Sequence, residues 1–185
     1  MNNPIKIVGL SGSLRKDSFN TGLLRTLNDI LPAQVELEIL DIGHLPLFNQ
    51  DFESDLPETV KELKAKIKAA DAIIFSGPEY NYSLSGVLKN AIDWASRPYG
   101  DNSFAGKPAG IIGGSAGNTA SARMQYHLRQ IMVFLDMYPL NKPEIMIPMI
   151  QEKFDKQGKL IDEKTKEKLS EFIEALVAWT KKLNK

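Results

Sequence analysis

The chain predicts a doubly wound α/β domain: five parallel strands in the order 2-1-3-4-5, with helices on both faces. Three observations carry this. Strand-like and helix-like periodicities alternate five times along 185 residues, with no run of strands alone. The third strand-like segment, Asp71-Ala-Ile-Ile-Phe-Ser76, is almost wholly apolar, as a central parallel strand buried on both faces must be. The second, residues 35–39, sets Val35, Leu37 and Ile39 against Glu36 and Glu38, the pattern of an edge strand with one wet face. Right-handed crossovers then favour the stated order.

Taken in sequence, residues 5–10 make a short buried strand ended by Ser11-Gly12-Ser13. Leu23, Leu24, Leu27, Ile30 and Leu31 share one helical face, and Pro32 stops that helix. After the edge strand, residues 41–56 read as a loop punctuated by Gly43 and Pro46. Val60, Leu63, Ile67 and Ala70 make a second amphipathic helix. Gly77-Pro78 breaks the central strand, and Leu84, Val87, Leu88, Ala91 and Ala95 line a third helix. Residues 108–113 form the fourth strand, and a helix is expected over 119–137. Ile145, Met146 and Ile147 form the fifth strand, and Leu169, Ile173, Leu176 and Leu183 face inward from a last helix. No linker or internal repeat divides the chain, so residues 1–185 are read as one domain.

Composition narrows the function. Lysine plus arginine (23) balances aspartate plus glutamate (23), so no global basic field gathers nucleic acid or an anionic membrane. The absence of cysteine excludes thiolate catalysis, disulfides, cysteine-held zinc and iron–sulfur clusters. Two histidines, His44 and His127, make a poor metal set. No stretch reaches the ~20 apolar residues of a membrane span, and no signal peptide opens the sequence, so the expected location is cytoplasmic.

In such sheets ligands bind beyond the C-terminal ends of the strands, where the winding reverses. Three loops reach that edge. The first, Gly12-Ser-Leu-Arg-Lys-Asp-Ser-Phe-Asn20, brings Ser11, Ser13, Ser18, Asn20 and Arg15 to a helix N-terminus, where free amides and the helix dipole favour an anion. Capping alone accounts for Ser18 or Asn20; five polar groups are more than a cap needs. Neither G-x-x-x-x-G-K-[ST] nor G-x-G-x-x-G is present, so one phosphate is expected rather than a triphosphate or dinucleotide. The second loop, Gly77-Pro-Glu-Tyr-Asn-Tyr-Ser83, offers tyrosines and amides to a planar heterocycle. Taken alone, Tyr80 and Tyr82 could equally fill a gap between loop and helix.

The third loop, Gly113-Gly-Ser-Ala-Gly117, matches the nucleophile elbow G-x-S-x-G in a strand–turn–helix setting. A hydrolase triad in that order needs an acid and then a histidine after the serine. No histidine lies beyond His127, only twelve positions on in the following helix. A glycine-rich loop admitting a flat ligand close to backbone fits better.

The first two loops, with Gly86-Val-Leu-Lys-Asn-Ala-Ile-Asp-Trp94, Gly106-Lys-Pro108, Gln125-Tyr-His-Leu-Arg129 and Asn141-Lys-Pro-Glu144, closely resemble the NADPH-dependent FMN reductase family, and within it the bacterial quinone and chromate reductases. The resemblance implies a flavodoxin-like fold that holds FMN non-covalently, draws electrons from NADPH or NADH, and assembles as a homodimer or homotetramer. It implies that Ser13, Arg15, Ser18 and Asn20 hold the ribityl phosphate. Pro78, Glu79, Tyr80 and Asn81 would border the isoalloxazine, with Ser115 on its other flank; Ser11 and Ser83 complete the expected site. Asp17 stands where relatives often carry a small residue, and must face solvent or pair with Lys16 to be tolerated. The electron acceptor is expected to be a small molecule such as a quinone, chromate, an azo or nitro compound, or free flavin. A flavodoxin-type carrier and a flavin-binding redox sensor are the alternatives. An apolar outer face on the 119–137 helix, built from Tyr126, Val133 and Met137 with Phe134 toward one flank, is expected to meet a second subunit; the alternative is that the final helix or the loop near Phe48 covers it within one chain.

Overall fold

The computed structural model describes residues 3–184. Its sheet has β1 (Ile5–Ser11), β2 (Val35–Leu40), β3 (Ala72–Ser76) and β4 (Pro108–Gly114) in the order β2-β1-β3-β4, all parallel. The fifth position is shared by two short segments. β5 (Tyr138–Pro139) pairs with the start of β4, and β6 (Ile145–Ile147) pairs with its end, Ile112 to Gly114. The doubly wound 2-1-3-4-5 arrangement holds, with its last strand split.

The alternation of side chains across the pleat explains the two cores. Val8, Leu10, Ile73, Phe75 and Ile111 face α2 (Glu58–Ala69), α3 (Gly86–Ala95) and α4 (Ala122–Phe134). Ile7, Ala72, Ile74 and Ile112 face α1 (Phe19–Asp29) and α5 (Glu163–Leu183). All five residues of β3 are buried; each large apolar side chain there contributes about 1.5–3 kcal/mol. β2 keeps Glu36 and Glu38 in water at the sheet edge, as its alternation requires.

Buried polar contacts hold the helices at fixed heights. Lys64 on α2 is almost fully enclosed, and its ammonium donates to the carbonyls of Ala95, Arg97 and Asp101 at and beyond the C-terminus of α3. Burial pushes its pKa down, while the Asp101 carboxylate favours the charged form. At the other flank of α3, Asn90 bridges the Phe48 N–H and the Pro46 carbonyl, and the Trp94 indole also donates to Pro46. Asn90 and Trp94 of the Gly86–Trp94 stretch therefore anchor the 41–56 loop.

Candidate functional site

The loops after β1, β3 and β4 meet over the C-terminal edge of the sheet and enclose a cleft of about 360 Å³. That is within the size range of small-ligand sites, about 300–1,000 Å³. Eight of the expected residues line it: Ser13, Arg15, Ser18 and Asn20 from the first loop, Pro78, Glu79 and Tyr80 from the second, and Ser115 from the third. Ser11 lines a neighbouring cavity instead, together with Ser13 and Arg15. Asn81 and Ser83 stand outside the cleft lining, in the turn beyond Tyr80.

Their hydrogen bonds separate residues that build the cleft from residues free to bind within it. Ser18 is the N-cap of α1; its Oγ accepts from the Thr21 N–H at 3.2 Å. Asn20 is a brace between α1 and β4: Nδ2 donates to the Gly114 carbonyl at 3.2 Å, and Oδ1 accepts from the Gly114 N–H at 3.0 Å. These two bonds use its oxygen and one of its two N–H groups, so a second Nδ2–H remains for a ligand in the cleft that Asn20 lines. The Ser11 hydroxyl is paired with Thr21 Oγ1. Arg15, in contrast, makes no ion pair among the described residues; its guanidinium lies 5.7 Å over the Phe19 ring, beside the start of α1. The Phe19 and Asn20 N–H groups lie in the first turn, where no intrahelical acceptor exists. Asp17 is exposed and lies outside the cleft lining, so its charge is left in water.

Glu79 departs most from expectation. Its side chain is only 4% exposed, and the carboxylate reaches α4 rather than the cleft. Oε2 accepts from the N–H groups of Arg123 (2.9 Å) and Met124 (3.2 Å), and Oε1 pairs with the Arg123 guanidinium. Ser121, the residue at the N-cap position of α4, makes no side-chain cap, so Glu79 supplies one from 44 residues away. A two-residue turn follows. Tyr80 and Ser83 exchange both backbone hydrogen bonds, with Asn81 (φ 50°) and Tyr82 (φ 66°) both in the left-handed region, as a type I′ turn requires. Arg123 stacks 3.8 Å over Tyr82, and Ser83 Oγ lies 2.7 Å from His127 Nδ1. α4 thus holds this wall of the cleft at both ends.

The elbow-like loop has no nucleophile. Ser115 Oγ donates to the Ala120 carbonyl at 2.6 Å, and His127 is engaged with Ser83. Gly113 is there for packing: a Cβ would collide with the Gly77 carbonyl and the Ser121 hydroxyl. Phe19, Gly114 and Ala116 of the same loops also line the cleft, and sequence reading missed Ile150 and Gln151, which lie outside all three loops. Ile150 and Gln151 belong to a single 3-10 turn after β6, held by the Ile150 N–H donating to the Ser115 carbonyl.

The model of the NADPH-dependent FMN reductase family matches residues 5–152. This chain belongs to that family. Among curated proteins it is 49% identical to an NAD(P)H-dependent FMN reductase of Pseudomonas aeruginosa, over 99% of each chain. It is 47% identical to a quinone reductase of Escherichia coli, over 92% of each. Among solved structures it superimposes on the flavoenzyme NAD(P)H:(acceptor) oxidoreductase FerB of Paracoccus denitrificans with a TM-score of 0.87 and 40% identity, covering 96% of this chain and 98% of that one. Membership makes it an oxidoreductase with FMN as cofactor and NAD(P)H as electron donor, and the cleft accords with that. An anion pole, formed by Arg15 and the first turn of α1, shares one cleft with Pro78, Tyr80, Gly114 and Ala116, walls against which a flat ring can lie.

Proposed function

We propose that this chain is an NAD(P)H-dependent reductase that passes two electrons by way of FMN to a small flat acceptor, with a quinone as the first candidate. The observation that carries this reading is the polarity of the cleft: a free cation and free amides in one loop, and flat, largely apolar walls from the other two. FMN, when bound, supplies hydride acceptance and electron return, so no side-chain nucleophile is needed. Arg15, Ser13 and the start of α1 bind its phosphate. Pro78 and Tyr80 orient the ring from one side, Gly114 to Ala116 from the other. Tyr80, half-exposed, lies at the solvent-open side of the cleft, where donor and acceptor would take turns. No described helix is long and apolar enough to cross a membrane; a cytoplasmic setting, where NAD(P)H is generated, suits the activity.

A flavodoxin-type carrier would need a protein partner to turn over. Zero formal net charge gives this chain no acidic docking field. Purified protein alone, supplied with NADPH or NADH and a benzoquinone, should oxidise the nucleotide through many turnovers. A single stoichiometric reduction without turnover, across quinone, chromate, azo, nitro and flavin acceptors, would favour the carrier or sensor reading.

We further propose that the chain works as a homo-oligomer joined through the outer face of α4. Val133 (81% exposed), Phe134 (72%) and Tyr126 (54%) form that face. The 41–56 loop does not cover it, since Phe48 packs on Trp94. Met137 is not part of it. α4 ends at Phe134, the chain turns through Asp136 (φ 54°), and Met137 is buried in the core beside Met132. The double substitution Val133→Asp, Phe134→Lys should lower the mass seen by light scattering to 20.6 kDa. A wild type already at that mass, or a variant unchanged in mass, would remove the interface.

A further inference from the structure

The polar side chains around the cleft differ in how far the fold has already used their hydrogen bonds. Ser115 donates to Ala120 and Glu79 is held by α4, while Ser18, whose oxygen caps α1, and Asn20, tied to Gly114 through its oxygen and one N–H, each keep one donor hydrogen. Gln151, delivered by the segment after β6 rather than by the three loops, is a further polar side chain in the lining. It lines the cleft and is exposed, and among the described residues its amide makes no hydrogen bond.

Its position follows from the chain on either side. The Ile150 N–H donates to the Ser115 carbonyl, which ties the 3-10 turn to the third loop. Four residues on, the Phe154 ring packs 5.1 Å from Phe19 and lies so close to α1 that a Cβ at Gly22 would come within 2.8 Å of it. The segment therefore runs from the Ser115 loop to the first turn of α1, and Gln151, which lies along it, lines the same cleft as Arg15, Ser18 and Phe19.

We propose that Gln151 is a ligand of the FMN phosphate, donating its side-chain N–H₂ from the segment after β6, while Arg15 and α1 bind from the β1 side. The inference rests on the reading of the cleft as an FMN site. A neutral amide suits this place. It adds a charge-assisted donor to a dianion without a second full charge to desolvate in the flavin-free protein. It also closes the phosphate between two separate stretches of chain, so that the ribityl end is held from both sides.

The test titrates flavin-free, full-length protein with FMN and with riboflavin, reading flavin fluorescence. Gln151→Ala should weaken FMN by about ten- to a hundredfold, the range for one hydrogen bond to a charged group, and leave riboflavin within about twofold. Gln151→Glu should weaken FMN further, because it sets a carboxylate against the phosphate, and again spare riboflavin. Since the side chain is exposed, both variants should keep the wild-type melting temperature in the absence of flavin. Equal losses for FMN and riboflavin, or no loss for either, would overturn the assignment while the FMN site itself stands. A wild-type protein that binds neither flavin would instead overturn the reading on which it rests.

Discussion

Replacing Arg15 with alanine should weaken FMN by about 1.5–3 kcal/mol, roughly ten- to a hundredfold, and leave riboflavin nearly untouched. Arg15 is the cation in the cleft lining, and among the described residues it has no carboxylate to satisfy it. Its guanidinium rests over Phe19, the first residue of α1, so it faces the place where the helix N–H groups already favour an anion. Because Arg15 is exposed, part of that energy is screened by salt. The FMN advantage over riboflavin should therefore shrink as ionic strength rises, and shrink less in the variant. Arg15→Lys should fall between the two, keeping charge but losing the planar fork. Isothermal titration with both flavins at low and high salt measures all of this. If alanine costs FMN and riboflavin equally, Arg15 packs against the ring system and does not read the phosphate.

Much of the fold was legible because its signals are local. The unbroken apolar run of β3, the in–out alternation of β2 and the leucine stripe of α1 each follow from one element's own burial. The split of the fifth strand was not legible. β5 is two residues long and contains Pro139, so it has neither length nor alternation to reveal it. Met137 was misplaced for a related reason: a helical face projected past Phe134 has no meaning once the helix has ended.

The candidate site was legible as three loops but not as a division of labour. Asn20 meets Gly114 across 94 residues, and Glu79 meets Arg123 across 44. Such pairings decide whether a polar group is free for a ligand, and no spacing rule within one loop contains them. The same holds for Ile150 and Gln151. They reach the cleft only because β6 pairs with the end of β4 and delivers the next turn to the Ser115 loop. Conversely, the capping explanation for the first loop held in part. Ser18 caps α1, and it does so at the rim of the cleft, so one residue serves both the helix end and the site.

Glu79→Ala should destabilise the flavin-free protein by about 1.5–3 kcal/mol and also weaken FMN, although the Glu79 carboxylate is turned away from the cleft. The substitution removes the only side-chain acceptor that the first turn of α4 receives among the described residues. Loss of such a cap costs roughly 0.5–2 kcal/mol. The Arg123 guanidinium, 43% exposed, loses its partner as well; screening by water keeps that second loss to about 1 kcal/mol. The effect on FMN arises because Glu79 lies between Pro78 and Tyr80, both in the cleft lining. With the carboxylate gone, the wall keeps only its far anchors, Ser83 on His127 and Tyr82 under Arg123, and the strained Asn81–Tyr82 turn is free to relax. Glu79→Gln retains an acceptor for the α4 N–H groups and should recover most of the stability but less of the Arg123 contact. Urea unfolding of the three proteins without flavin, paired with FMN titration, separates the two effects. An alanine variant within 0.5 kcal/mol of wild type would show that α4 does not depend on this cap. A fully destabilised variant that still binds FMN at wild-type strength would show that the cleft wall does not.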